Sequence, residues 1–224
     1  MNTVDLSGVD VSGDPPRRAR IGVLALQGAF REHVQAFGRV GADACEVRRP
    51  AQLGEIDGLV VPGGESSTMA KLMQAYGFDH AIAAFERGGG RVWGTCAGAI
   101  AVATDIRHHH EQMRLGLIDV SVARNAYGRQ LASFETDLVV DGWDRPFRAL
   151  FIRAPRVERV GRGVRVLAVY DGDAVAVAND SVLATVFHPE LTGDDRWHRA
   201  FAAWCVRARD ARERMVAHQE TRFA

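Results

Sequence analysis

The sequence predicts a single-domain α/β fold: a mostly parallel sheet with helices on both faces, elaborated by antiparallel strands. Three observations predict it. The first half alternates short apolar runs with amphipathic stretches, the pattern of strand–helix–strand units. The second half carries five β-rich segments, several parted by short turns such as Asp141-Gly142 and Asp171-Gly172-Asp173. The chain has 224 residues, 47% hydrophobic and 25% charged, enough for one full core, and no repeat or low-complexity linker divides it.

Residues 1–20 are polar and rich in Gly, Asp, Pro and Arg, so they cannot bury enough apolar surface to offset the entropy of ordering. We expect a flexible N-terminal extension there and a domain over residues 21–224. Residues 21–26 form a continuous apolar run, a buried parallel strand that turns at Gln27-Gly28. Residues 30–40 have helical spacing, with Val34, Phe37 and Val40 on one face. Strands at 43–47 and 59–61 follow, the latter stopped by Pro62-Gly63-Gly64. Ser66 or Ser67 is expected to cap a helix through Met69, Leu72 and Met73. A helix at 79–87 ends at Gly88, a strand holds Val92-Trp93, and 97–104 reads as another helix. The β-rich segments are 118–122, 137–140, 147–152, 164–170 and 174–178, and a buried strand returns at 182–187. A long helix from about Asp195 closes the chain, with Trp197, Phe201, Trp204, Cys205 and Val206 facing inward.

The formal net charge of +0 leaves no electrostatic footprint for nucleic acid or an anionic membrane. No apolar run is long enough to span a bilayer, and residues 1–20 lack the apolar segment of a signal peptide. The three cysteines, Cys45, Cys96 and Cys205, are too widely spaced for a disulfide framework or a zinc pattern. A cytoplasmic protein with reduced thiols is the expectation.

Gly94-Thr95-Cys96-Ala97-Gly98 falls between a predicted strand and a predicted helix. Gly-x-nucleophile-x-Gly at that junction forms a tight elbow that lifts the nucleophile out at the carboxyl edge of the sheet. Alone, the pentapeptide reads equally well as a buried small Cys between packing glycines. Cys45 and Cys205 have no such context and read as small buried apolar residues. A cysteine nucleophile also needs a base and a group that holds it. His188-Pro189-Glu190 follows the last strand, and residues two apart in extended chain point the same way. By itself, His-x-Glu reads as a surface end of a strand. The run His108-His109-His110 reads as a solvated loop with no metal, because three adjacent side chains cannot face one ion. His33 reads as helix surface or as facing a partner. Consecutive glycines after a strand let backbone N–H groups meet a developing oxyanion, so Gly64 and Ala97 are the chosen donors. An amino-acid substrate calls for an arginine, and Arg124 and Arg153 are candidates, although the abundance of Arg singles out neither.

Six segments occur in order: Leu24-Ala25-Leu26-Gln27-Gly28-Ala29-Phe30-Arg31-Glu32-His33, Pro62-Gly63-Gly64-Glu65-Ser66, Gly94-Thr95-Cys96-Ala97-Gly98, Arg124-Asn125-Ala126-Tyr127-Gly128-Arg129-Gln130, Phe151-Ile152-Arg153-Ala154-Pro155 and Phe187-His188-Pro189-Glu190-Leu191-Thr192. Together they resemble the glutaminase subunits of pyridoxal 5′-phosphate synthase, a family of class I, triad-type glutamine amidotransferases. The Cys and His-Pro-Glu motifs are shared across that superfamily, and the Leu-Gln-Gly, Arg-Asn and Phe-Ile-Arg-Ala-Pro segments are more specific to these subunits. The resemblance covers the chain from about Ile21 and implies a flavodoxin-like sheet. It implies Cys96 as nucleophile, His188 and Glu190 completing the triad, and glutamine contacts at Gly64, Glu65, Ser66, Arg124, Ile152 and Arg153. It further implies L-glutamine as substrate, no cofactor, and a synthase partner in a large hetero-oligomer. Residues 1–20 and the histidine-bearing stretch 104–115 depart from the family pattern. An elbow-cysteine peptidase and a binding module with a structural Cys96 are the rival readings.

Overall fold

The computed structural model describes residues 18–124 and 133–223. Residues 1–17 of the expected extension and residues 125–130 of the arginine-bearing segment lie outside the described residues. The chain runs β1 (Arg20–Leu24), α1 (Phe30–Arg39), β2 (Asp43–Val47), a 3₁₀ turn (Pro50–Glu55), β3 (Gly58–Val61), α2 (Ser66–Ala75), α3 (Phe78–Arg87), β4 (Arg91–Thr95) and α4 (Ala97–Val102). It continues through β5 (Ala103–Ile106), β6 (Ile118–Ala123), β7 (Ser133–Leu138), β8 (Phe147–Ile152), β9 (Arg156–Val160), β10 (Arg165–Tyr170), β11 (Asp173–Ala178) and β12 (Val182–Thr185). A 3₁₀ turn (Pro189–Leu191) and α5 (Arg196–Phe223) complete it.

The main sheet has the order β2-β1-β3-β4-β12-β11-β9-β6-β5, with β10 paired to β11. From β2 to β12 all neighbours are parallel; β12-β11, β11-β10, β11-β9 and β9-β6 are antiparallel, and β6-β5 is parallel again. β7 and β8 pair in a separate antiparallel sheet. The predicted α/β architecture with antiparallel elaboration is thus observed. Successive strand residues point to opposite faces. Trp93 of β4 packs on Phe37 of α1 and Phe201 of α5, while the backbone of α4 lies against the neighbouring Gly94. Helices α1 and α5 therefore cover one face, and α2, α3 and α4 pack together on the other. All five predicted inward residues of α5 are buried.

Several boundaries differ from expectation. β1 starts at Arg20 and Ala19 is fully buried, so ordered contacts begin before Ile21. Arg20 N–H donates to Asp57 Oδ2 at 2.8 Å, and Ala19 C=O accepts from Asp43 N–H at 2.9 Å. The helix expected to reach 104 stops at Val102, because the next residues pair with β6 as a strand. β7 lies at Ser133–Leu138 rather than 137–140; its register against Phe147–Ile152 fixes it there, and Val140 bridges to Ala168 instead. β9 was not expected: of its five residues only Val157 is buried, so it lacks the apolar run that marks a strand.

Candidate active site

β4 ends at Thr95 and α4 begins at Ala97, which leaves Cys96 alone to turn the chain. It does so at φ 48° and ψ −105°, a left-handed geometry that costs a non-glycine residue roughly 1–3 kcal/mol. The surroundings over-determine it. Cys96 N–H donates to Thr185 C=O at 2.8 Å, and the Cys96 carbonyl accepts from Ala99 N–H at 3.1 Å. Gly98 is needed for closeness: a Cβ there would lie 1.8 Å from Val61 O. The elbow read from the sequence is therefore present as backbone geometry.

Cys96 is 7% exposed and opens into a cavity of about 210 Å³ lined by Gly64, Glu65, Ser66, Cys96, Ala97, Ile100, Arg124, Ile152, Arg153, Pro155 and His188. That is below the ~300–1,000 Å³ of pockets for drug-sized ligands and suits a single amino acid. Of the ten site residues expected from the sequence, nine line this cavity. The tenth, Glu190, is buried behind it. Ile100 and Pro155 were not anticipated.

His188 follows β12 and its Nδ1 lies 2.7 Å from Glu190 Oε1. Burial opposes protonation of His188, but hydrogen bonds to and charge interactions with Cys96 and Glu190 outweigh it and raise the ring to about 10. Burial would raise Glu190, but His33 and then His188 outweigh that and hold its carboxyl below the ordinary range. Cys96 Sγ is 3.8 Å from the Ile152 carbonyl.

Behind Glu190 lie two histidines that the sequence did not mark. His33 is fully buried, contrary to the surface reading. Its Nε2 sits 3.1 Å from Thr95 Oγ1 and 3.4 Å from Glu190 Oε2, and its Nδ1 sits 3.0 Å from His198 Nε2. Burial lowers both rings, His198 well below the usual value, which favours their neutral forms. A signal was present. His33, Ala36, Phe37 and Val40 form an i, i+3, i+4, i+7 set, and so do His198, Phe201, Ala202 and Cys205; all eight are buried.

The loop before α2 is held by Gln27. Its Oε1 accepts from Glu65 N–H at 3.2 Å and its Nε2 donates to Glu65 C=O at 3.3 Å. Gly63 C=O accepts from Ala29 N–H at 3.1 Å. A Cβ on Gly63 would come within 2.5 Å of His188 Cε1 and 3.2 Å of Cys96 Cβ, so the glycine backbone lies directly against these two side chains. The helix cap is Glu65, not Ser66 or Ser67: its carboxylate accepts from the N–H groups of Ser67 (3.1 Å) and Thr68 (2.7 Å) and from both hydroxyls (2.7 Å each). The Ser67 and Thr68 hydroxyls, joined by their N–H groups, hold that carboxylate at about 2 against the effect of burial. Arg124 Nη2 donates to Glu65 Oε1 at 3.2 Å and Nη1 to Gln112 Oε1 at 2.8 Å, aligning the guanidinium at the cavity wall. Arg153 reaches the wall through a left-handed backbone, φ 44°.

Of the remaining cysteines, Cys205 is buried as expected and Cys45 is exposed on β2, contrary to its reading as buried. Burial, then Asp57, raises the Cys205 thiol; burial, Asp43 and Glu55 raise that of Cys45. The histidine run is largely exposed, and His110 Nδ1 lies 3.2 Å from Asp105 Oδ1. Among the described residues, no group of three or more His, Cys, Asp and Glu could hold a metal ion, and no helix is long and apolar enough to cross a membrane.

Comparison with known proteins adds to this geometry. The chain is 53% identical over 182 residues to the pyridoxal 5′-phosphate synthase subunit PdxT of Niallia circulans, covering 81% of this chain and 95% of the relative. It is 55% identical over 184 residues to the PdxT subunit of Parafrankia sp. (strain EAN1pec), covering 81% and 91%. A crystal structure of a glutamine amidotransferase, 48% identical, superposes with a TM-score of 0.80 over 83% of this chain and 98% of the other. The structure of PurLQS from Thermotoga maritima, 18% identical, shares the fold with a TM-score of 0.62 over 84% and 98%. The SNO glutamine amidotransferase family matches residues 23–207, and the chain belongs to that family.

Proposed function

We propose that the chain hydrolyses L-glutamine to L-glutamate and ammonia, and that the ammonia passes to a synthase subunit that makes pyridoxal 5′-phosphate. One observation carries the reading. A cysteine held at φ 48° at the carboxyl edge of a parallel sheet shares a small cavity with a histidine bonded to a buried glutamate, in a chain about half identical to PdxT subunits.

In this reading Cys96, paired with protonated His188, attacks the side-chain amide carbon of glutamine. The carbonyl π pair moves to oxygen, where the N–H groups of Gly64 and Ala97 meet it. His188 gives its proton to the departing nitrogen, ammonia leaves, and a glutamyl thioester remains. Neutral His188 then takes a proton from water, whose oxygen attacks the thioester; glutamate and the thiolate are released. Glu190 holds His188 oriented and favours its imidazolium. Arg153 and Arg124 answer the α-carboxylate, with Glu65 and Ser66 near the α-ammonium and the Ile152 backbone along the wall. No step calls for a metal or organic cofactor. The catalytic unit we assign is one amidotransferase domain, acting in the cytoplasm in a large hetero-oligomer with the synthase; the three free cysteines accord with a reducing compartment.

The Gly63-Gly64 loop is fastened through Gln27 and Ala29, at the sheet edge where a partner can dock. We infer that the partner selects the productive loop state, so the lone chain is a poor glutaminase. The experiment has two arms. Glutamate release is measured with and without the synthase subunit, expecting strong activation by it. Pyridoxal phosphate formation is then measured with the Cys96→Ala chain fed either glutamine or an ammonium salt, expecting rescue by ammonium alone. Full activity of the lone chain would refute the gating. Failure of ammonium would refute the division of labour.

A further inference from the structure

The carboxylate of Glu190 has two oxygens, and the mechanism uses one. Oε1 accepts from His188, whereas Oε2 is buried without a hydrogen-bond partner of ordinary geometry. His33 Nε2 lies 3.4 Å from it. His33 is fully buried, as is His198, which it contacts through Nδ1 at 3.0 Å. Two neutral histidines in a core of Phe37, Trp93 and Phe201 are costly to keep unless their polar atoms serve a purpose.

Tautomers decide what His33 presents. If its proton were on Nδ1, His198 Nε2 would have to accept it. The His198 proton would then sit on Nδ1, a buried atom without a partner, and the Nε2 lone pair of His33, accepting from the Thr95 hydroxyl, would stand 3.4 Å from the Glu190 carboxylate. If the proton is on Nε2, it is directed to Thr95 Oγ1 with Glu190 Oε2 beside it at 3.4 Å, and Nδ1 accepts from His198 Nε2–H. Within the histidine pair the orphan is then a lone pair on His198 Nδ1, more tolerable in a core than an unmatched N–H.

We propose that His33 is a positioning residue for the glutaminase reaction: held as the Nε2–H tautomer by His198 and anchored on Thr95, it sets its Nε2–H edge 3.4 Å from Glu190 Oε2 and so steadies the carboxylate that orients His188. The proposal rests on the Cys96, His188 and Glu190 reading above. It ties helices α1 and α5 to the reacting centre through one carboxylate. The titratable and charged groups around that carboxylate are Cys96 at the elbow, His188 beside it, His33 with Glu32 on α1, and His198 on α5 with Arg39 near it.

The test uses two amides of similar polarity. A Gln at position 33 carries its NH₂ to the place of the imidazole Nε2, whereas an Asn reaches only the place of Nδ1. Glutamine kinetics are measured on the full chain with its synthase subunit, across pH. His33→Asn is expected to lower kcat roughly tenfold to a hundredfold, with KM within about twofold. The alkaline limb of its kcat/KM profile should move toward neutral pH, because a less steady Glu190 supports the His188 imidazolium less. His33→Gln should stay within about threefold of wild type with its limbs unmoved. A merely structural role would scale activity with folded fraction and leave the profile in place. Should His33→Asn not fold, His198→Phe carries the test, with a smaller kcat loss and the same limb shift expected. A wild-type kcat and profile in His33→Asn, or equal losses in the Asn and Gln variants, overturns the proposal. Glu190→Gln separates the layers: if it is fully active, the underlying triad reading fails. If it is inactive while His33→Asn is normal, only the positioning role fails.

Discussion

Cys96 and Cys205 are both buried cysteines, yet their surroundings make opposite uses of burial. Cys205 sits on α5 against Gly58, and burial, then Asp57, raises its thiol. Cys96 is also buried, at 7% exposure, but it stands at a strained turn beside a histidine that its own contacts help to charge. Burial removes water in both places. At Cys96 a paired histidine replaces it, and on the reading proposed above that replacement separates a reactive thiol from packing.

The strongest way to break this contrast is to exchange the outcomes. Cys96→Ala should lower glutamate release by on the order of 10⁴ or more, measured with the synthase subunit present, while Cys205→Ala keeps near-normal turnover. Comparable losses in both would erase the distinction. Next in size, Arg153→Ala and Arg124→Ala should each weaken glutamine use by roughly one to two decades in kcat/KM, the worth of a charged hydrogen bond to the substrate carboxylate. Unchanged constants in both would remove the arginines from the site. The third effect is on stability and carries a sign. His188 is raised from 6.5 to about 10, so its contribution is full below pH 6.5 and is lost as pH rises through about 10. The stability gap between wild type and His188→Asn in denaturant titrations should therefore shrink from pH 6 to pH 10, and a gap that widens contradicts the charged pair. The smallest effect sharpens the other half of the contrast: Cys205→Ala should cost about 1 kcal/mol of unfolding free energy, with no change in pH profile.

How much was legible follows from what each signal depends on. The apolar runs of β1, β3, β4 and β12 are readable because strands buried on both faces need hydrophobic residues throughout. The elbow is readable because close backbone approach demands glycine. β9 was missed because its arginines and Glu158 belong to a strand supported by backbone pairing with β6 and β11, which side-chain composition does not report. Glu65 was read only as a glutamine contact, whereas its carboxylate also closes the first turn of α2. Cap choice depends on side-chain reach, and two serines nearby drew the reading. His33 and His198 were missed because residue type was weighed above position: each occupies an apolar place in a buried helical stripe. A polar residue at a core register is itself information.

The narrow approach at Gly63 has a consequence for how this sequence can vary over generations. Any side chain there, even a methyl group, would strike the His188 ring. The same holds at Gly98, whose neighbour is a carbonyl oxygen that no rotamer change can move aside. At these two positions no single-residue step leads anywhere, since relief would require the strand ends, the loop and the elbow to shift together. In a complete substitution library selected for growth without supplied vitamin B6, both columns should be emptied of every residue but glycine, like the column of Cys96 itself.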